Sequence, residues 1–254
     1  MIKIKTFICF IVSIFSLNAF AQGNYGGGVD NENLHFGFGF QYISSEYKIQ
    51  KVADWQKPAF DENNVQVTQG LKSIRSIQNP GFGIGFVSDL YITPNLNLRF
   101  TPVFVFADRI IDYEFNDGAS YDRKNLKSPE GFTRRTVNST MFEFPLGVKL
   151  KSDRRNNFRA YLLAGMKYGI DIGAKKNEDD AGDIAIQKQL KNTKGVLSYD
   201  VGIGFDLYFE FFKLSPEIKL SNSIKSILKR EDHPYASPLE KLYLRNFVFS
   251  LYFE

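Results

Sequence analysis

Two histidines, His35 and His233, are the side chains here best placed to move a proton near neutral pH. His233 follows Glu231 and Asp232, so this run is the candidate for acid–base chemistry. A second polar grouping, Glu178, Asp179, Asp180 and Asp183, could hold calcium but lacks the alternating ligand spacing of a calcium loop. Both groupings lie in segments that read as long loops, where a solvated role is the simpler account. The single cysteine, Cys9, sits in an apolar stretch near the start, which leaves no thiol chemistry for the rest of the chain. These residues point to no cofactor and to no enzyme.

The remaining charges fall into a pattern. Arg99, Glu143, Lys149, Arg159, Lys167, Asp171, Asp200, Asp206, Glu217, Lys219 and Arg245 lie in segments rich in large apolar residues. Leu34, Phe36, Phe38, Phe40 and Tyr42 alternate with His35, Gly37, Gly39 and Gln41. Val201, Ile203, Phe205 and Leu207 alternate with Gly202, Gly204 and Asp206. Side chains on a strand point to opposite faces with period two. Each strand therefore has a greasy face and a face of glycine or charge. The charges named above are expected to share a lumen and to pair there, since an unpaired buried ion is costly. Eight strands make a barrel just wide enough for side chains to fill.

Eight strands are predicted, at about 34–49, 81–92, 96–107, 140–150, 158–172, 197–211, 213–224 and 242–253. Their connections alternate long and short, and an outer-membrane barrel alternates long outer loops with short periplasmic turns in this way. The fold class is thus all-β, an eight-stranded antiparallel transmembrane β-barrel. Pro102, Pro145 and Pro216 fall inside predicted strands, where a missing N–H marks a bulge or a break. Trp55, Tyr91, Tyr113 and Tyr243 are assigned to interfacial girdles. A soluble barrel with its greasy face inward is the rival. Glycine and charge sharing one face, and the aromatic ending Phe247–Phe253, favour the membrane. Phe249, Leu251 and Phe253 are read as the signal to barrel-assembly machinery.

Residues 1–21 read as a secretory signal, with Lys3 and Lys5 before the apolar run Phe7–Leu17 and Ala19-Phe20-Ala21 as the cleavage site. Residues 22–33 form a Gly-rich periplasmic leader, and 34–254 form the barrel. The formal net charge of +4 falls by two when Lys3 and Lys5 leave, which argues against nucleic acid as a partner. The expected partner is outer-membrane lipid, and the expected place is the Gram-negative outer membrane.

One stretch carries a resemblance. Phe142–Leu150 leads through Lys151-Ser152-Asp153-Arg154 to Arg159-Ala160-Tyr161 and then to Tyr168-Gly169-Ile170-Asp171. This run, with the ending Phe249–Glu254, resembles the PorT/SprT proteins of type IX secretion and gliding motility in Bacteroidota. The resemblance implies an outer-membrane component that supports the secretion machinery, contacts other type IX components and is not the conduit. A general structural or adhesive barrel is the other reading.

Overall fold

The computed structural model describes residues 33–60, 64–121, 131–173 and 184–254. The leader, residues 61–63, residues 122–130 and the acidic cluster at 178–183 lie outside them, as does the signal segment with Cys9. Fourteen strands are present among the described residues. Nine form one closed antiparallel sheet: β1 (Leu34–Lys51), β5 (Asn79–Thr93), β6 (Leu96–Phe100), β7 (Val103–Phe106), β10 (Thr140–Lys151), β11 (Phe158–Asp171), β12 (Gly195–Tyr208), β13 (Lys213–Ser223) and β14 (Leu239–Phe253). β6 and β7 are two halves of one stave, because both lie between β5 and β10. The barrel therefore has eight staves. It closes where β1 pairs with β5 from Leu34↔Leu90 to Ser45↔Asn79 and with β14 from Phe38↔Phe253 to Lys51↔Leu239. Closure leaves no unpaired edge, the condition for strands to cross a membrane.

Proline explains the split stave. Pro102 has no N–H to give, and the ladder stops at Thr101. The gap is stitched from both sides, as Phe86 N donates to Pro102 O at 3.0 Å and Thr101 N to Pro145 O at 3.1 Å.

Alternation sets the faces. On β12, Leu197, Tyr199, Val201, Ile203 and Phe205 point out and are exposed, while Ser198, Asp200 and Asp206 are buried. The same holds around the ring, giving a continuous outer belt of Phe, Leu, Ile, Val and Tyr. A soluble monomer rarely exposes so large an apolar surface; a bilayer covers it. A charge in that belt is expected to be expensive. Ile203→Lys, in the middle of the β12 face, should cost about 2–4 kcal/mol, and Ile203→Val far less. Urea titration of vesicle-embedded protein, read by gel mobility, measures the difference. A lysine as benign as valine would place Ile203 away from lipid.

Glycine lines the lumen where staves curl tightly. Gly147 and Gly165 face each other across β10 and β11. A Cβ on Gly165 would strike the Leu146 carbonyl and come within 2.6 Å of Gly147 Cα.

The five remaining strands lie beyond the belt, at the end with the long connections. β2 (Ala59–Phe60) and β3 (Gln66–Thr68) form a small hairpin, and β4 (Leu71–Ile77), β8 (Arg109–Phe115) and β9 (Thr133–Val137) form a three-stranded sheet. β4, β8 and β9 continue the directions of β5, β7 and β10 past the barrel rim. The predicted long loops at 50–80 and 108–139 are therefore folded in part, and their buried Leu71, Ile74, Ile111, Tyr113, Phe115 and Val137 join one apolar core.

Candidate functional site

The lumen has two halves of different chemistry. At the short-turn end, Arg99 is the hub of a buried ion cluster. Its Nη2 donates to Asp89 Oδ2 at 2.7 Å and to Glu254 Oε1 at 2.8 Å, and its Nη1 lies 3.4 Å from Glu217 Oε2. Each acid is shared with a lysine. Lys149 lies 2.8 Å from Asp206 and 3.5 Å from Asp89, Lys213 is 2.8 Å from Glu254, and Lys219 is 3.1 Å from Glu217. Tyr161 Oη donates to Glu217 at 3.0 Å and Ser215 Oγ to Asp206 at 2.7 Å. Arg99 and four partners, Asp89, Lys149, Asp206 and Glu217, are almost wholly buried. Four cations thus meet four carboxylates in one connected network and balance one another, and a fifth buried carboxylate, Asp200, lies close by.

Nearer the middle, Lys167 donates to Glu143 at 2.8 Å. At the outer rim, beside Met141, Asp171 accepts from Ser139 Oγ at 2.7 Å and lies 3.9 Å from Arg109. Asp200 lines a cavity of about 10 Å³ together with Arg99 and Lys219; that is room for about one water. Arg159 sits at the short-turn rim, where it donates to the carbonyls of Ser152 at 2.8 Å and Pro94 at 3.3 Å and so ties two turns together.

Between the Arg99 cluster and the Asp171–Arg109 pair at the rim the lumen is largely apolar, with Ile43, Val103, Val105, Met141, Val196 and Val248 buried in it. The long connections then close over it as a cap. Tyr113 Oη donates to Tyr235 O at 2.7 Å, and the two rings meet edge to face at 5.3 Å. Tyr235 Oη donates to Ile186 O at 3.0 Å, and the Arg135 guanidinium lies 3.9 Å from the Tyr235 ring. Asn192 donates to Tyr47 Oη at 2.6 Å, and Val52 N donates to Pro238 O at 3.1 Å. All four long connections contribute. Burial pushes the Tyr113 phenol well above its usual range, so it stays a neutral donor.

The model of a family described as Outer membrane protein beta-barrel domain matches residues 20–229. The chain belongs to this family. It is an outer-membrane barrel, with its short turns on the periplasmic side and its cap outside. Similar solved structures include Neisserial surface protein A at 9% identity, with TM-score 0.40, covering 87% of this chain and 98% of that one. OprG from Pseudomonas aeruginosa has 10% identity and TM-score 0.35, covering 85% and 93%. Ail, the attachment invasion locus protein of Yersinia pestis, has 10% identity and TM-score 0.34, covering 87% and 98%. Comparison with curated proteins returns no match.

Of the charges assigned to the lumen of this outer-membrane barrel, Arg245 is misplaced. It shares strand parity with Phe247 and Phe249, so it points outward at the upper rim, 3.5 Å from Glu46 and 3.4 Å from Asn222. The interior positions of β14 are Leu242, Leu244, Asn246, Val248, Ser250 and Tyr252. Asp89, Lys213 and Glu254 are lumen members that the reading missed, although Asp89 has the parity of the inward Gly83 and Gly85. Tyr113 is no girdle residue; it is fully buried in the cap. His233 is buried there too, and not in a solvated loop. Its Nδ1 accepts from Tyr235 N at 3.3 Å, which holds the loop's shape. Phe249, Leu251 and Phe253 lie on the outer face of β14, with Phe253 stacked on Phe38 at 5.2 Å.

Proposed function

We propose that this outer-membrane barrel is a non-catalytic accessory of type IX secretion, supporting the assembly of the machinery and not carrying cargo. The filled lumen is the observation that carries this reading. A barrel with a neutralised ion cluster below and an apolar stopper above offers partners only its outer surfaces. The stretch that resembles PorT/SprT proteins maps to β10, the next turn and β11. Several of its residues have roles in the barrel itself: Lys149 and Tyr161 belong to the ion cluster, and Arg159 ties two turns. What remains for a partner is the turn at Ser152–Asn157. There the Arg154 guanidinium sits 3.8 Å from the Tyr208 ring and donates to Asn156 O at 2.7 Å, so its direction is fixed. Arg155 beside it is exposed. A fixed arginine at a membrane surface suits an acidic periplasmic partner.

His35 lies on the periplasmic half of β1 and His233 in the outer cap, so they serve no common reaction centre. Clean deletion in the native host, with complementation, tests the proposal. Cargo bearing C-terminal export signals should accumulate inside deletion cells and return to the medium on complementation. The double change Arg154→Ala and Arg155→Ala should leave heat-modifiable gel mobility intact while export falls. Normal export after deletion would favour the second reading, a general structural or adhesive barrel, which the compact outer cap supports.

A further inference from the structure

The outer cap carries a groove of about 270 Å³ between the first and last outer loops. It plays no part in the proposed secretion role. Its size is just below the ~300–1,000 Å³ of pockets that take drug-sized ligands, enough for one or two pyranose rings.

The lining is selective. Trp55 and Phe60 supply aromatic faces, Pro58 and Pro234 supply walls without N–H groups, and Asp54 and Asp232 supply carboxylates. Proline offers no backbone donor, and a carboxylate only accepts. The lining also carries donors in Lys57, Thr68 and Ser237, so the groove is mixed in polarity and suits a ligand with an apolar face and several hydroxyls that both donate and accept. Charge narrows the choice. Lys57 Nζ holds Asp54 at 2.9 Å, and Lys51 Nζ covers one face of the Trp55 ring at 3.9 Å. Two ammonium groups disfavour a cationic ligand, and two carboxylates disfavour an anionic one. Trp55 is half-buried and packs partly on the apolar core, and the rest of its ring lines the groove.

The loops are held in place before any ligand arrives. Val52 N donates to Pro238 O at 3.1 Å and joins the two loops, while Ser237 Oγ fixes Asp232 Oδ1 at 3.0 Å. Asp232 Oδ2 is left as an acceptor. Pre-formed walls reduce the ordering cost of binding.

We propose that this groove binds a neutral saccharide unit at the outer surface, with a pyranose packed against the groove-lining parts of Trp55 and Phe60 and its hydroxyls donating to Asp54 and Asp232.

Trp55 is the only tryptophan in the chain, so its emission reports on this groove alone. The experiment titrates the full barrel, refolded in detergent, with methyl glycosides of glucose, galactose, mannose and N-acetylglucosamine, and with choline chloride. The expected result is a saturable change in Trp55 emission at millimolar concentration of at least one glycoside. Asp232→Asn should raise the midpoint by about tenfold, and Phe60→Ala should raise it as well. Both positions are exposed, and unchanged heat-modifiable mobility confirms that the variants fold. Arg245→Ala, on the rim, should leave the midpoint alone. Silence from every glycoside overturns the proposal. So does a response to choline at equal or lower concentration, or an unshifted midpoint in Asp232→Asn.

Discussion

Replacing Arg99 with leucine is expected to lower the stability of the barrel by about 3–5 kcal/mol. The leucine fits the space poorly, but charge is the larger problem. Arg99 touches Asp89, Glu217 and Glu254 at once. Without it, three lysines face four carboxylates, and one negative charge stays buried where water cannot reach it. Neutralising one acid should relieve this. In Arg99→Leu with Asp89→Asn, the pairs Lys149–Asp206, Lys213–Glu254 and Lys219–Glu217 remain intact. That double variant should recover at least half of the loss, although it removes more contacts than the single one. Arg245→Leu is the control, since the same residue type on the exposed rim should matter by no more than about 0.5 kcal/mol. Urea midpoints of vesicle-embedded protein, read by heat-modifiable mobility, order the four proteins. A single variant as stable as the parent, or a double variant worse than the single, contradicts a network held by charge balance.

Parity made the barrel readable. Gly against Phe in β1 and Asp206 against Phe205 in β12 fixed strands and faces together, because a closed sheet in lipid allows no other use of period two. Seven of the eight staves followed their predicted spans to within a few residues, and the third was broken where Pro102 denies the ladder a donor. Parity also exposes the error at Arg245. Two residues from Phe247 it must face outward, and only its charge suggested the lumen. Strands β4, β8 and β9 were harder to read. Ile111, Tyr113 and Phe115 alternate cleanly, but their partners, such as Arg135 opposite Ile111 and Leu71 opposite Phe115, lie far away in sequence. A loop of mixed composition does not announce that another loop will cover it. The ion cluster was legible as a set of charges and not as a set of pairs. Which lysine meets which acid depends on stagger around the ring, and Glu254 joins only because β13 and β14 bring it beside Lys213. The groove at Trp55 was not foreseen, since it needs residues from the first and last outer loops, which meet only when the barrel closes.

Tyr113→Ala should separate the cap from the barrel. The Tyr113 side chain is fully buried, meets Tyr235 edge to face and donates to its carbonyl. Removing the ring from such a site costs about 3–5 kcal/mol, while Tyr113→Phe loses one hydrogen bond and about 1 kcal/mol. The cap is held by short ladders and by side-chain packing among loops, and the staves by the long closed ladder and the lipid-facing belt. The loss should therefore appear locally. Hydrogen exchange in β4, β8 and β9 should accelerate in Tyr113→Ala while β11 and β12 stay protected, and the urea midpoint of the barrel should move little. Faster exchange throughout would mean that cap and barrel form one cooperative unit. Conductance adds a second reading of the same variant. The Arg99 network and the apolar layer around Val103, Met141 and Val248 lie below the cap, so a loosened cap still leaves the lumen blocked. Planar bilayers holding Tyr113→Ala should stay silent, and single-channel steps there would show that the cap, and not the ion cluster, keeps this barrel shut.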